Sequence, residues 1–253
     1  MTHEYPRTPT FDSVSVSRVS ALSDFGLARR QCEFLVTVMV RSGCFLERQY
    51  CTFTGTARGQ NSREFVAHLV ARGFARAIEP GPVRRGRLYN VHHKPLYEAI
   101  GQADNRNRRL HSIGRMVERV MILDAVLGDR RCWWLSPECD KRAFFDLTQQ
   151  TGLGPEDYPH IAFGAAPRKT IRCFPDKLPI GIEKDDTSRF VFYLVNRRIP
   201  VDFRQFLIRH ADLFRCLHHW TVRLLLRVVS LTFASWNQIR RLLRQLDGLR
   251  RAA

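Results

Sequence analysis

The chain has 253 residues, with 41 Lys and Arg against 24 Asp and Glu, a formal net charge of +17 and an isoelectric point near 10.5. That length holds one large domain or two small ones, and the charge makes a polyanion the expected partner. Seven cysteines without a CxxC pair argue against a disulfide framework and zinc-finger ligation, favouring a reducing cytoplasm, and Arg223 and Arg227 interrupt the longest apolar run short of a membrane span.

Residues 1–24 mix Ser, Thr and Val with acids and lack an apolar segment, so a loose, disordered tail is expected and no secretory leader. Residues 27–41 then carry Phe34, Leu35, Val38 and Met39 on one side at helical spacing, and Gly43 ends the run. A second short helix is expected over residues 45–53, followed by a loop over 55–59 that contains Arg58. Asn61 has the chemistry of an N-cap and Glu64, three places on, can return the bond, so a third helix is predicted to start there and stop at Gly73. It is expected to bury Phe65, Val66, Leu69 and Val70 and to expose Arg63, Glu64, Ala67, His68 and Arg72. Residues 74–79 and 87–92 pattern as hairpin strands around a turn that carries Arg84 and Arg85.

Helices followed by a basic hairpin are the order of a winged helix-turn-helix domain, here over residues 25–101. A helix about 10–12 Å across fits the major groove, where its outer face meets base edges. On this reading Arg58, Gln60, Asn61, Arg63, Ala67 and His68 face double-stranded DNA, and Arg63 suits a two-point bond to guanine. Arg84, Arg85 and Arg87 on the wing grip phosphates and add affinity without reading sequence. The competing reading is a protein-docking module of the same shape.

Residues 93–101 pattern as a short closing helix, and 102–129 as a basic linker and connecting helix with Leu110, Ile113, Val117, Val120, Met121 and Leu127 at helical spacing. Such a helix suits pairing in a homodimer or packing on a second domain. Over 130–230 the period changes. A strand at 132–135 and a helix begun at Ser136-Pro137-Glu138, burying Phe144, Phe145 and Leu147 and running to about residue 150, precede a Gly- and Pro-rich loop. Strands follow at 170–174, 178–183 and 189–195, then a helix over 203–219 capped by Asp202, with Phe206, His210 and Leu213 inward, and a strand at 221–229. Residues 231–253 read as a basic amphipathic helix, with Trp236, Ile239 and Leu243 on one face, that docks on the sheet or on phosphates without a stable hold on a membrane.

The fold class is therefore α+β, an N-terminal winged helix-turn-helix domain followed by a mixed α/β domain. On the wing hairpin, the Pro175-Asp176 step after a strand, and the apolar strand followed by helix and strand, residues 27–229 resemble the replication-relaxation-like family of bacterial plasmids and mobile elements. The resemblance implies a second domain like a degenerate restriction endonuclease of the PD-(D/E)xK type, and a role in replication, transfer or transcriptional control.

An active nuclease of that type holds Mg²⁺ between Asp176 and an acid that precedes a lysine by two residues on the next strand. Residues 190–197 offer neither acid nor lysine, and Glu183 and Lys184, being adjacent, point to opposite strand faces. The adjacent pairs His92-His93 and His218-His219 do not suit a single zinc ion, and Pro155 after Gly152-x-Gly154 replaces the Lys-Ser/Thr of a phosphate loop. A DNA-binding protein without catalysis, cofactor or metal is expected, with a nuclease using Asp176 and a protein-binding adaptor as the alternatives.

Overall fold

The unbroken buried run from Phe34 to Val40 organises the first half of the molecule. It is buried on every side of its helix, so other elements must surround it. The computed structural model describes residues 15–83, 86–147, 157–164, 170–175, 178–184, 189–196, 200–216 and 221–228, in an α+β arrangement of two units, Met1–Lys141 and Arg142–Ala253.

The first unit opens with α1 (Val16–Ser23), capped by the Ser15 hydroxyl, which accepts the Arg18 N–H. The loose tail expected over residues 1–24 is thus a helix from Val16 onward. Leu22 is completely buried, and the Arg18 guanidinium meets both carboxylate oxygens of Asp140 at 3.3 Å. One buried leucine in a polar sequence is too faint a period to read as a helix. Next come α2 (Arg29–Arg41) and β1 (Cys44–Leu46), then α3 (Glu47–Thr54). The helix expected from residue 45 starts two residues later, because Cys44, Phe45 and Leu46 pair with a strand of the hairpin. The Gln49 side chain fixes that start by accepting the Leu46 N–H at 2.9 Å.

After α4 (Gln60–Ala71), the strands β2 (Ala75–Val83) and β3 (Gly86–Val91) run antiparallel, and the sheet order is β1-β3-β2. Ala75 pairs with Val91 and Ile78 with Leu88, and the register then jumps to Val83 opposite Gly86. The pleat of β3 divides the unit into two layers. Tyr89 and Val91 join Phe34, Phe45 and Phe65 in the core among α1–α4. Leu88 faces the other way, to Cys44, Leu46, Met116 and Val120.

Met116 and Val120 belong to α6 (Ile113–Gly128), which follows α5 (Lys94–Ala99) and a 3-10 turn at Arg106–Arg108. Residues 102–129, expected as linker and connecting helix, are therefore integral to the first unit. Leu123 and Leu127 reach the helical core; of the apolar face expected to serve a homodimer or a second domain, Val120 and Leu127 are buried, Val117 and Met121 are half-buried, and Leu110 and Ile113 are exposed. Asn107 is 3% exposed and donates its side-chain amide to the Met39 carbonyl at 3.0 Å. Its backbone passes so close to Gly43 that a Cβ there would stand 2.1 Å from the Asn107 carbonyl oxygen. Gly43 also sits at φ +70°, so glycine is required twice over.

The chain continues through β4 (Cys132–Leu135) and α7 (Glu138–Leu147). In the second unit β5 (His160–Phe163) pairs antiparallel with β6 (Thr170–Cys173), which places a strand where only loop was expected. Tyr158 and Phe145 pack on Phe174, and the Tyr158 hydroxyl donates to Asp146 at 2.6 Å. Strand β7 (Ile180–Glu183) is antiparallel to β8 (Arg189–Asn196), and β9 (Thr221–Val228) is parallel to β8. The helix expected as one piece over 203–219 begins at Pro200 and is two, α8 (Pro200–Arg209) and α9 (Ala211–Cys216), with buried His210 between them. The basic helix expected over 231–253 lies outside the described residues. Among those described, no helix is long and apolar enough to cross a membrane.

Candidate nucleic-acid interface

Apolar residues at i, i+1 and i+4 fix how α4 lies. Phe65, Val66 and Leu69 are buried, and the Phe65 ring stacks on Tyr50 with centroids 4.1 Å apart. This leaves Gln60, Asn61, Arg63, Glu64, Ala67, His68 and Arg72 facing solvent. Val70, expected inside, is 40% exposed. The helix packs on α3 and β2 along a narrow stripe, and Val70 falls beyond it. The outer face thus carries donors of several kinds, a guanidinium, amides and an imidazole, with Glu64 as its acid.

The start of the helix differs from the expectation. Asn61 is the second helical residue, exposed, and not the cap; the helix begins at Gln60 with Gly59 before it. Ser62 takes the capping role from inside, its hydroxyl accepting the Gly59 N–H at 3.2 Å and donating to Glu47 Oε1 at 2.8 Å. Arg58 Nε donates to Glu47 Oε2, also at 2.8 Å. Burial alone would raise the Glu47 carboxyl. The hydrogen bonds from Arg58 and Ser62, with the charges of Arg58 and Arg63, outweigh it and hold Glu47 below its ordinary range. Arg58 is therefore a shared cation, and Gln60 is likewise engaged, donating to Glu64 at 2.7 Å.

On β3, Arg87 is exposed and hydrogen-bonded to the Tyr89 phenol. Burial dominates at Tyr89 and pushes that phenol up, against the opposing charges of Arg87 and Arg58. Arg58, bonded to Glu47, adds its charge at both Glu47 and Tyr89, joined by Arg63 at the first and Arg87 at the second. Ala67 and His68 lie further along α4. Arg84, Arg85 and Asp176 lie outside the described residues.

Glu47 and Ser62, which set the position of the α4 start, were not found by sequence reasoning. They stand 15 residues apart, and no local spacing rule joins an acid opening one helix to a serine opening the next. The burial of Glu47 itself is the signal, and it exists only in the fold. Compared with models of protein families, with curated proteins and with solved structures, the chain matches none.

Proposed function

We propose that the chain is a non-enzymatic, sequence-specific DNA-binding protein whose α4 enters the major groove as the third helix of a winged helix-turn-helix domain. One observation carries this reading. The helix turns Phe65, Val66 and Leu69 inward and presents Arg63, Asn61 and His68 outward, beside a hairpin that bears Arg87. An arginine suits guanine, an amide suits adenine, and neighbouring arginines supply phosphate contacts that fix register. The net charge of +17 adds favourable long-range attraction to a duplex.

The second unit supports the further reading of a degenerate restriction-endonuclease-like domain. Its antiparallel pair β7 and β8 is followed by helices and by a parallel strand β9. Strand β8 brings no acid and lysine two residues apart, so the domain binds or dimerises and does not cleave. With the resemblance to replication-relaxation-like proteins, this makes a plasmid or mobile element the proposed setting, and control of replication, transfer or transcription the proposed role.

Selection of bound fragments from a random duplex library, followed by mobility shifts across a salt series, tests the reading. The expected result is an enriched motif and an affinity that falls steeply as salt rises. No enrichment and no salt-dependent shift would leave the protein-docking alternative standing.

A further inference from the structure

Among the described residues, the ion pairs of the first unit pass over the basic stretch 105–115. Arg18, Arg29, Arg48, Arg58 and Arg131 each meet a carboxylate. Among the described residues, none does so with Arg106, Arg108, Arg109 or Arg115. Between Asp104 and Glu118 the sequence carries these arginines and His111 but no acid.

A mobile linker of that composition would say little, since a charged tether is ordinarily solvated. This one is held in place. Asn107 is anchored under the end of α2 through the Met39 carbonyl, and its own N–H is bonded to Asn105 Oδ1 at 3.0 Å. The His111 ring bonds the Arg106 carbonyl at 3.0 Å. Arg106, Arg109 and Arg115 are exposed on this fixed backbone. Their concentrated positive charge repels itself and is relieved at a surface of repeated negative charge. Leu110 and Ile113, 53% and 48% exposed, add too little apolar area for burial in a lipid interface.

Position separates this ridge from α4. The first turns of α6, just after Arg115, lie through Met116 and Val120 against the sheet face that bears Leu88, whereas α4 shares the core on the face that bears Tyr89. Strands β1 and β3 therefore stand between the start of α6 and α4, while Leu123 and Leu127, further along α6, reach the core that α4 shares.

We propose that residues 105–115 form a second, sequence-blind nucleic-acid contact, which grips the sugar-phosphate backbone of another duplex segment across the sheet from α4. The inference rests on the reading of α4 as a DNA-binding face.

The test uses the full chain and the triple variant Arg106→Ala, Arg109→Ala, Arg115→Ala, with an unchanged melting temperature as the check on folding. One duplex carrying the selected motif is immobilised, and capture of a second, labelled duplex is measured alongside the salt slope of affinity. The variant is expected to lose capture, to lower the salt slope by roughly two to three, and to keep the wild-type ranking of sequences. Unchanged capture and slope would overturn the proposal. So would a lowered slope with sequence ranking also lost, which would put the ridge on the same duplex as α4. Loss of binding to phosphatidylserine vesicles with DNA capture intact would assign the ridge to a membrane instead. A wild type that binds no duplex would refute the reading of α4 itself.

Discussion

The Ser62 hydroxyl stands 2.8 Å from the Glu47 carboxylate, so the first turn of α4 hangs from the first turn of α3. Arg58 completes the joint on the second carboxylate oxygen. The part of α4 assigned to base reading is thereby positioned by a largely buried acid.

Replacing that acid tests the joint. Glu47→Ala is expected to cost about 1.5–3 kcal/mol, the range for hydrogen bonds to a charged group. The pH dependence has a definite sign. The folded state holds this carboxyl below its ordinary value of about 4.5, so it binds its proton less readily than the unfolded chain does. Its stabilisation is complete above that value and fades as pH falls toward the lower folded-state value. Chemical denaturation of wild type and Glu47→Gln between pH 7 and pH 3 measures this. The gap between them should narrow in acid, and a constant gap would show that the ion pair contributes nothing.

Two glycines at similar backbone angles should answer the same substitution differently. Gly43 and Gly55 have φ of +70° and +74°, but a Cβ on Gly55 meets nothing within 4 Å. Gly55→Ala is expected to cost about 1–2 kcal/mol from backbone strain alone. Gly43→Ala adds a collision with the Asn107 backbone and should cost a further 1–3 kcal/mol or so, the scale of overpacking. Equal urea midpoints for the two variants would contradict the close crossing at Asn107.

Neighbouring residues of α3 should separate by burial. Arg48 holds Asp124 of α6 through two bonds of 2.7 Å, but its side chain is half exposed. Gln49 is fully buried, accepts from Leu46, and donates to the Val120 carbonyl and to Asp124, both at 2.8 Å. Arg48→Ala is expected to cost at most about 1 kcal/mol. Gln49→Ala strands buried groups at about 1–3 kcal/mol apiece, so it should lower the thermal midpoint more.

For DNA, Arg63→Ala should flatten discrimination at one position of the site by about 1–3 kcal/mol. Arg84→Ala with Arg85→Ala should weaken all sequences alike and lower the salt slope by up to roughly two. Repeating the library selection with Arg63→Ala decides the first point. An unchanged motif would remove Arg63 from the reading face.

The order of elements in the first unit was legible because its signals are local. The stripe of Phe65, Val66 and Leu69 and the stop at Gly73 needed only neighbours in sequence. The cap was misplaced because Asn61 and Ser62 have equal capping chemistry, and Glu47, remote in the chain, decides between them. The fate of residues 102–129 was hidden for a similar reason. A helix with an apolar face does not say which surface it covers, and the partners of Met116 and Val120 lie on β1 and β3. Strand β1 was hidden because Cys44, Phe45 and Leu46 are too few to show a period.

The Arg18–Asp140 pair joins α1 to the start of α7, near the two chain ends of the first unit. Tension applied along the polypeptide therefore loads this part-buried clasp before it loads the aromatic centre around Phe34. Under pulling, the unit should give way from its margins inward, with α4 among the last elements to let go.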